Sequence, residues 1–157
     1  MIVELTRQER QQSRRAALQG LYQLDIQRIP ADAGVAEMLA HPLAEAGLEG
    51  AAADHARKLA AGTWAASARY DEMLREASKH WDVARMPAVD RNILRLALHE
   101  LLEHPDVPAR VVIDEAIEIG REYGSAETPQ FVNGVLDAIW KAHPAMKVAR
   151  GEDERKP

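Results

Sequence analysis

The sequence predicts an all-α fold, and three observations lead there. Ala, Leu, Glu and Arg dominate while only 4% of residues are aromatic, a balance that favours helix over strand. Apolar residues recur at three- and four-residue spacing, and β-branched residues rarely alternate with polar ones. Proline and glycine punctuate that pattern at intervals suited to ordinary helices.

The chain's 157 residues suffice for one domain with its own core, and the absence of cysteine excludes disulfides and thiolate zinc sites. The opening MIVELTRQERQQSRR lacks the apolar run of a signal peptide, and nowhere do eighteen apolar residues follow one another. A cytoplasmic protein without membrane association is therefore expected. The net charge of −5 argues against a generic polyanion binder. It conceals a local excess: Arg7, Arg10, Arg14 and Arg15 stand close together against Glu9 alone. A basic stripe on an acidic body suits a focused anion site, with other surfaces left for a basic partner.

The first helix is expected over about residues 6–27, with Thr6 and Glu9 spaced as a capping box and Ala17, Leu18, Leu21 and Leu24 as its apolar face. Ile29-Pro30 stops it, because the residue before proline avoids helical geometry. A second helix, about 31–46, carries Val35, Leu39 and Leu43, with Pro42 as a potential break. Residues 47–50 connect it to a stretch over about 51–81, long enough that a bend near 66–70 is expected. Pro87 and Pro108 suit the first position of the next two helices. The helix from Pro87 is apolar nearly all round, as a buried central helix is. The helix from Pro108 ends at Gly124, read as a left-handed cap. Thr128-Pro129 caps and opens the last helix, and His143-Pro144 ends it. The expected organisation is one domain over residues 1–144 and a charged, unstructured tail over 145–157.

Catalysis finds no footing in this pattern. His99-Glu100-Leu101-Leu102-Glu103-His104 misses the zinc-protease spacing, since the second histidine falls five residues along and about 140° around a helix. His99 is read as partly exposed, and His104 as a helix end. The carboxylate pairs Glu100/Glu103 and Asp114/Glu118 are read as solvated. No phosphate-cradling glycine loop and no nucleophile elbow occurs, so no cofactor, metal or catalytic residue is expected.

Two features remain. Arg7, Arg10 and Arg14 lie at i, i+3 and i+7 of the first helix, within about 60° of one another, with Arg15 beside them. Guanidinium forks in a row suit a phosphate backbone, and Gln11, Gln12 and Gln19 could add bonds to sugar or base edges. The alternative is a solvated basic face. The second feature is Phe131-Val132-Asn133-Gly134-Val135-Leu136-Asp137. A glycine inside a helix costs about 1 kcal/mol relative to alanine, so Gly134 is read as admitting another backbone. Phe131 is a candidate base-stacking surface.

These segments resemble a known family. Arg14-Arg15-Ala16-Ala17-Leu18-Gln19-Gly20-Leu21-Tyr22 is similar to the first-helix signature of the bacterial transcription antitermination factor NusB family. The run from Val89 to Leu101 resembles its central helix. Val107-Pro108 with Val112-Ile113-Asp114-Glu115-Ala116-Ile117-Glu118 resembles the next stretch, and Phe131 to Asp137 the last. Only about residues 32–84 carry no such signature.

The resemblance implies about seven helices in two packed bundles. It implies binding of the boxA RNA of ribosomal RNA leaders jointly with the ribosomal protein NusE, and loading of an antitermination complex on RNA polymerase. In the family the arginine-rich start of the first helix contacts RNA, which supports the stripe of Arg7, Arg10, Arg14 and Arg15 with Gln19 as the RNA-contacting set. Arg10 and Arg14 match the family's basic positions, and Glu127 and Phe131 lie where the family places a loop and helix start near RNA. The resemblance assigns partner contact to Tyr22 and Asp90. Gln11 and Gln12 stand where the family is commonly basic, and Arg15 where it is commonly acidic, so the charge has moved along the helix. Competing readings are a helical protein–protein interaction module without RNA contact, and the helical accessory domain of a ribosomal RNA methyltransferase, which a cofactor fold would have to follow. A homodimer covering the basic face, as a storage form, is a further partner to consider.

Overall fold

The computed structural model describes residues 4–77 and 80–149. The described residues form eight α-helices, one single-turn 3-10 helix and no strand. The chain divides into two compact units, Met1–Ser67 and Ala68–Pro157.

The first unit comprises α1 (Arg7–Ile26), α2 (Ala40–Glu45) and α3 (Gly50–Ala65). Thr6 and Glu9 close the capping box: the Glu9 N–H donates to Thr6 Oγ1 at 3.1 Å, and the Thr6 N–H to Glu9 Oε1 at 3.0 Å. Ala16, Ala17, Leu18, Leu21 and Leu24 are buried, and α1 packs chiefly on α3. Ser13 Oγ donates to the Ala52 carbonyl at 2.9 Å, and a Cβ at Gly20 would lie 3.9 Å from that of Ala60. The two helices therefore run in the same direction, and the first turn of α1 overhangs the start of α3.

Helix α1 ends before Ile29-Pro30 acts. Arg28 takes the left-handed conformation (φ 56°). The Ile29 N–H reaches the Leu24 carbonyl and the Arg28 N–H that of Asp25, both at 3.0 Å. This is a Schellman closure with arginine where glycine is usual. The helix expected over 31–46 is shorter than its pattern: residues 31–39 are not helical, and Ala40–Glu45 alone is. Pro42 falls in its first turn, where the missing N–H costs nothing.

All but the first residue of α4 (Ser67–Ala77) belongs to the second unit, and the helix is separated from α3 at Ala66, where a bend was expected. A 3-10 turn (Val83–Arg85) precedes α5 (Ala88–Glu103), α6 (Ala109–Tyr123), α7 (Thr128–Ala142) and α8 (Pro144–Ala149). Helix α6 lies against both α5 and α7. Every residue from Asn92 to Leu101 is buried, so α5 is the central helix that its apolar pattern predicted. Its buried polar groups are paired. Arg95 grips Asp71 of α4 through two bonds of 2.7 Å and also donates to Asn92 Oδ1 at 3.0 Å. Glu100, read as solvated, is buried as well.

Three expectations change here. Pro144–Ala149 is helical, with Met146 and Lys147 buried and the Lys147 ammonium 5.5 Å from the centroid of the Trp140 ring. Order therefore extends into the stretch read as tail, and residues 150–157 lie outside the described residues. Gly124 is not a left-handed cap, since its φ is −95°. It is glycine for lack of space: a Cβ there would stand 2.4 Å from Thr128 Oγ1. Gly134 is exposed, and a Cβ on it would meet nothing within 4 Å, so among the described residues no backbone approaches it.

The two glycines should respond oppositely to alanine. Gly134→Ala should raise the stability by about 1 kcal/mol, the helix-propensity difference. Gly124→Ala should lower it by roughly 1–3 kcal/mol through overpacking against Thr128. Urea midpoints measure both, and a lower midpoint for Gly134→Ala would contradict an open face.

Candidate nucleic-acid interface

The basic residues of α1 are not equally available. Arg7 is exposed, Arg10 and Arg15 are half-buried, and Arg14 is only 5% exposed. The expectation of a row standing wholly open therefore fails at Arg14. The reason lies in helical periodicity. Arg14 is followed at i+3, i+4 and i+7 by Ala17, Leu18 and Leu21, all buried, so the stripe runs straight into the packed arc. Arg7 escapes because it lies on the overhanging first turn.

Arg15 occupies a different face, and its Nη1 donates to the Gln11 carbonyl one turn back at 3.0 Å. That face continues through exposed Gln19, Tyr22 (37% exposed) and Ile26. The capping box engages the carboxylate of Glu9, the one acid within the arginine-rich run 7–15. Unsatisfied N–H groups at the start of α1 add their own positive potential. The first unit thus offers cationic groups at one end of α1 and an apolar–amide row along its outer side.

The second unit holds the remaining candidates. Glu127 is exposed at the N-cap of α7, and its carboxylate accepts from Ser125 Oγ at 3.1 Å. Thr128, read as the cap, is the first residue of α7 instead. Phe131 is half-buried, edge-to-face with Trp81 at 5.9 Å between ring centroids. Asp90 departs from expectation. Its carboxylate was to meet a basic partner, yet it is 6% exposed and accepts from Thr128 Oγ1 at 2.9 Å. Burial pushes its pKa above the ordinary carboxylate range, with the Thr128 bond pulling the other way. Trp81, Ser125 and Thr128 were not among the sequence candidates. Trp81 lies in the stretch without family signature, and Thr128-Pro129 carries an ordinary helix-start signal that hides its second bond.

The NusB family model matches residues 11–141. The chain belongs to the NusB family. A transcription antitermination protein NusB from Symbiobacterium thermophilum is 37% identical over 149 residues, covering 92% of this chain and 95% of its own. The fold is similar to that of NusB from T. maritima, at 36% identity with a TM-score of 0.75, over 84% of this chain and 90% of that one. A chain in a crystal structure of antitermination factors NusB and NusE in complex with dsRNA superposes with a TM-score of 0.76 at 25% identity. That match covers 87% of this chain and 99% of the other.

In this NusB-family chain the two histidines at the end of α5 have a structural setting. His99 is buried, and its Nδ1 is hydrogen-bonded to the Tyr70 hydroxyl at 2.8 Å. His104 ends α5 as expected, as its C-cap with φ −124° and ψ 70°, and its ring packs on that of His99 at 5.5 Å. Burial pushes His99 down to about 4, neighbouring His104 adds to the shift and Glu103 opposes it. Burial and Glu103 together push the Tyr70 hydroxyl up to about 12. No group of three metal-ligating side chains occurs among the described residues, and none of their helices is long and apolar enough to cross a membrane.

The His99 shift has a stability consequence. An unfolded histidine takes up its proton near pH 6.5, whereas the folded one resists until about pH 4. The unfolded state thus binds more protons in that window, and stability should fall as pH drops through it. Urea midpoints between pH 7 and 4.5 should fall less steeply in His99→Gln than in the parent, and equal slopes would refute the burial of a neutral His99.

Proposed function

We propose that this chain binds boxA RNA of ribosomal RNA leader transcripts together with ribosomal protein NusE, and so promotes antitermination by RNA polymerase. It acts in the cytoplasm as an adaptor, with no catalytic step of its own. The observation that carries this reading is the capped, arginine-rich start of α1 on a chain of the NusB family. A net charge of −5 makes diffuse attraction of RNA unfavourable, so affinity must come from a local cluster. The solved complex of NusB and NusE with dsRNA supports both partners together.

The contact set differs from one read on spacing alone. Arg7, Arg10 and Arg15 are the arginines assigned to phosphate, and Gln19 to sugar or base edges. Arg14 serves the packed arc first, so its removal acts through stability. Glu127 and Phe131 contribute from the start of α7, where an aromatic ring can stack on a base. Tyr22 is assigned to NusE, as an exposed aromatic with a polar tip.

Titration of a labelled boxA oligoribonucleotide, with and without NusE and over a salt series, tests this reading. Three phosphate contacts predict a log–log salt slope of about −2. Arg10→Ala should weaken binding and flatten the slope by about 0.7 while the helical circular dichroism stays unchanged. An unaltered slope would remove α1 as the phosphate contact. Absence of binding in both conditions would favour a protein–protein module, and light scattering on the free chain together with the RNA titration decides whether a homodimer covers the basic end.

A further inference from the structure

The loop between α6 and α7 is organised around one hydroxyl. Thr128 Oγ1 accepts the Ser125 N–H at 2.9 Å and donates to Asp90 Oδ1 at 2.9 Å. Ser125 Oγ reaches forward to the Glu127 carboxylate. The surrounding helices are shaped to this side chain: a Cβ at Gly120 would lie 3.0 Å from Thr128 Cγ2, and one at Gly124 closer still to its oxygen. Thr128 and Asp90 are both buried, so neither is presented to a ligand. Their neighbours are presented: Glu127 precedes Thr128 directly, and Phe131 follows one turn later, braced by Trp81.

We propose that Thr128, through its buried bond to Asp90, is a positioning residue for RNA binding. The tie fixes the loop that carries Glu127 and the first turn of α7 that carries Phe131, so the strand meets groups already in place. The inference rests on the RNA-binding reading above and adds to it a role for two residues that need not touch RNA. Its physical basis is preorganisation: a loop ordered beforehand loses little conformational freedom on binding, whereas a loose one must be ordered at the expense of affinity. It also gives the buried Asp90 a role that needs no contact of its own with RNA.

The test is the boxA titration on the full chain saturated with NusE, using variants that separate hydroxyl from charge. Thr128→Val keeps the shape and removes the hydroxyl, and it should weaken RNA binding roughly fivefold, the ordering cost of about one side chain. The salt slope should not change, because no phosphate contact is lost. Thr128→Ser should restore most of the affinity. Asp90→Asn, whose amide oxygen still accepts the bond, should stay within about twofold of the parent. If Thr128→Val melts too low to titrate, Asp90→Ala removes the tie from the other side, and NusE affinity measured on the same variant separates loss of the tie, which leaves it unchanged, from loss of a partner contact, which overturns the proposal. Parental affinity in the variant lacking the tie overturns the proposal, as does an equal loss in Thr128→Ser or a flattened slope. Failure of the parent chain itself to bind RNA defeats the earlier reading, and this one with it.

Discussion

The burial of one arc of α1 against α3 governs what this protein can offer a nucleic acid. A helix has a single continuous packed arc, and the residues that continue it toward the N-terminus share its azimuth whatever their charge. Arg14 stands one turn before Ala17 and Leu18 and is enclosed with them. Arg7 shares much of that azimuth and is exposed. What separates the two is the register set by the Ser13–Ala52 bond, which leaves the first turn beyond the start of α3. Charge density at the tip of α1 is thus a product of packing register, with the capping box keeping that overhanging turn helical and its acid engaged.

Most of the fold was legible in the sequence. The capping box at Thr6, the division near Ala66 and the all-round burial of α5 follow from spacing and composition. The departures have local causes. Residues 31–39 carry helical periodicity, but so short a segment bears the full cost of helix nucleation, and it buries Val35 and Leu39 without forming one. Gly124 and Gly134 look alike in one dimension: one is small because Thr128 fills its space, the other faces open solvent. Burial on all sides of α5 also takes in Arg95, and with it Asp90, His99 and Glu100, which pattern reading sent outward.

The candidate site was legible in its composition and less so in its geometry. Spacing identified the arginine cluster and the family signature identified the start of α7. Neither could reveal that Asp90 turns inward to a threonine 38 residues further along the chain, since such a bond leaves no periodic trace. The same holds for Trp81 against Phe131. Both pairings join segments far apart in sequence, and both converge on the first turn of α7, where order matters most if an RNA strand is to be met by a rigid surface.

The central claim is that phosphate is engaged by the overhanging, arginine-bearing start of α1. The most direct measurement is a chemical-shift footprint: isotope-labelled chain, unlabelled NusE, and boxA oligoribonucleotide added to saturation. The account predicts shifts of the Arg7, Arg10 and Arg15 Nε–H signals and of the backbone amides around them. Saturable RNA binding that leaves those signals unmoved would contradict it.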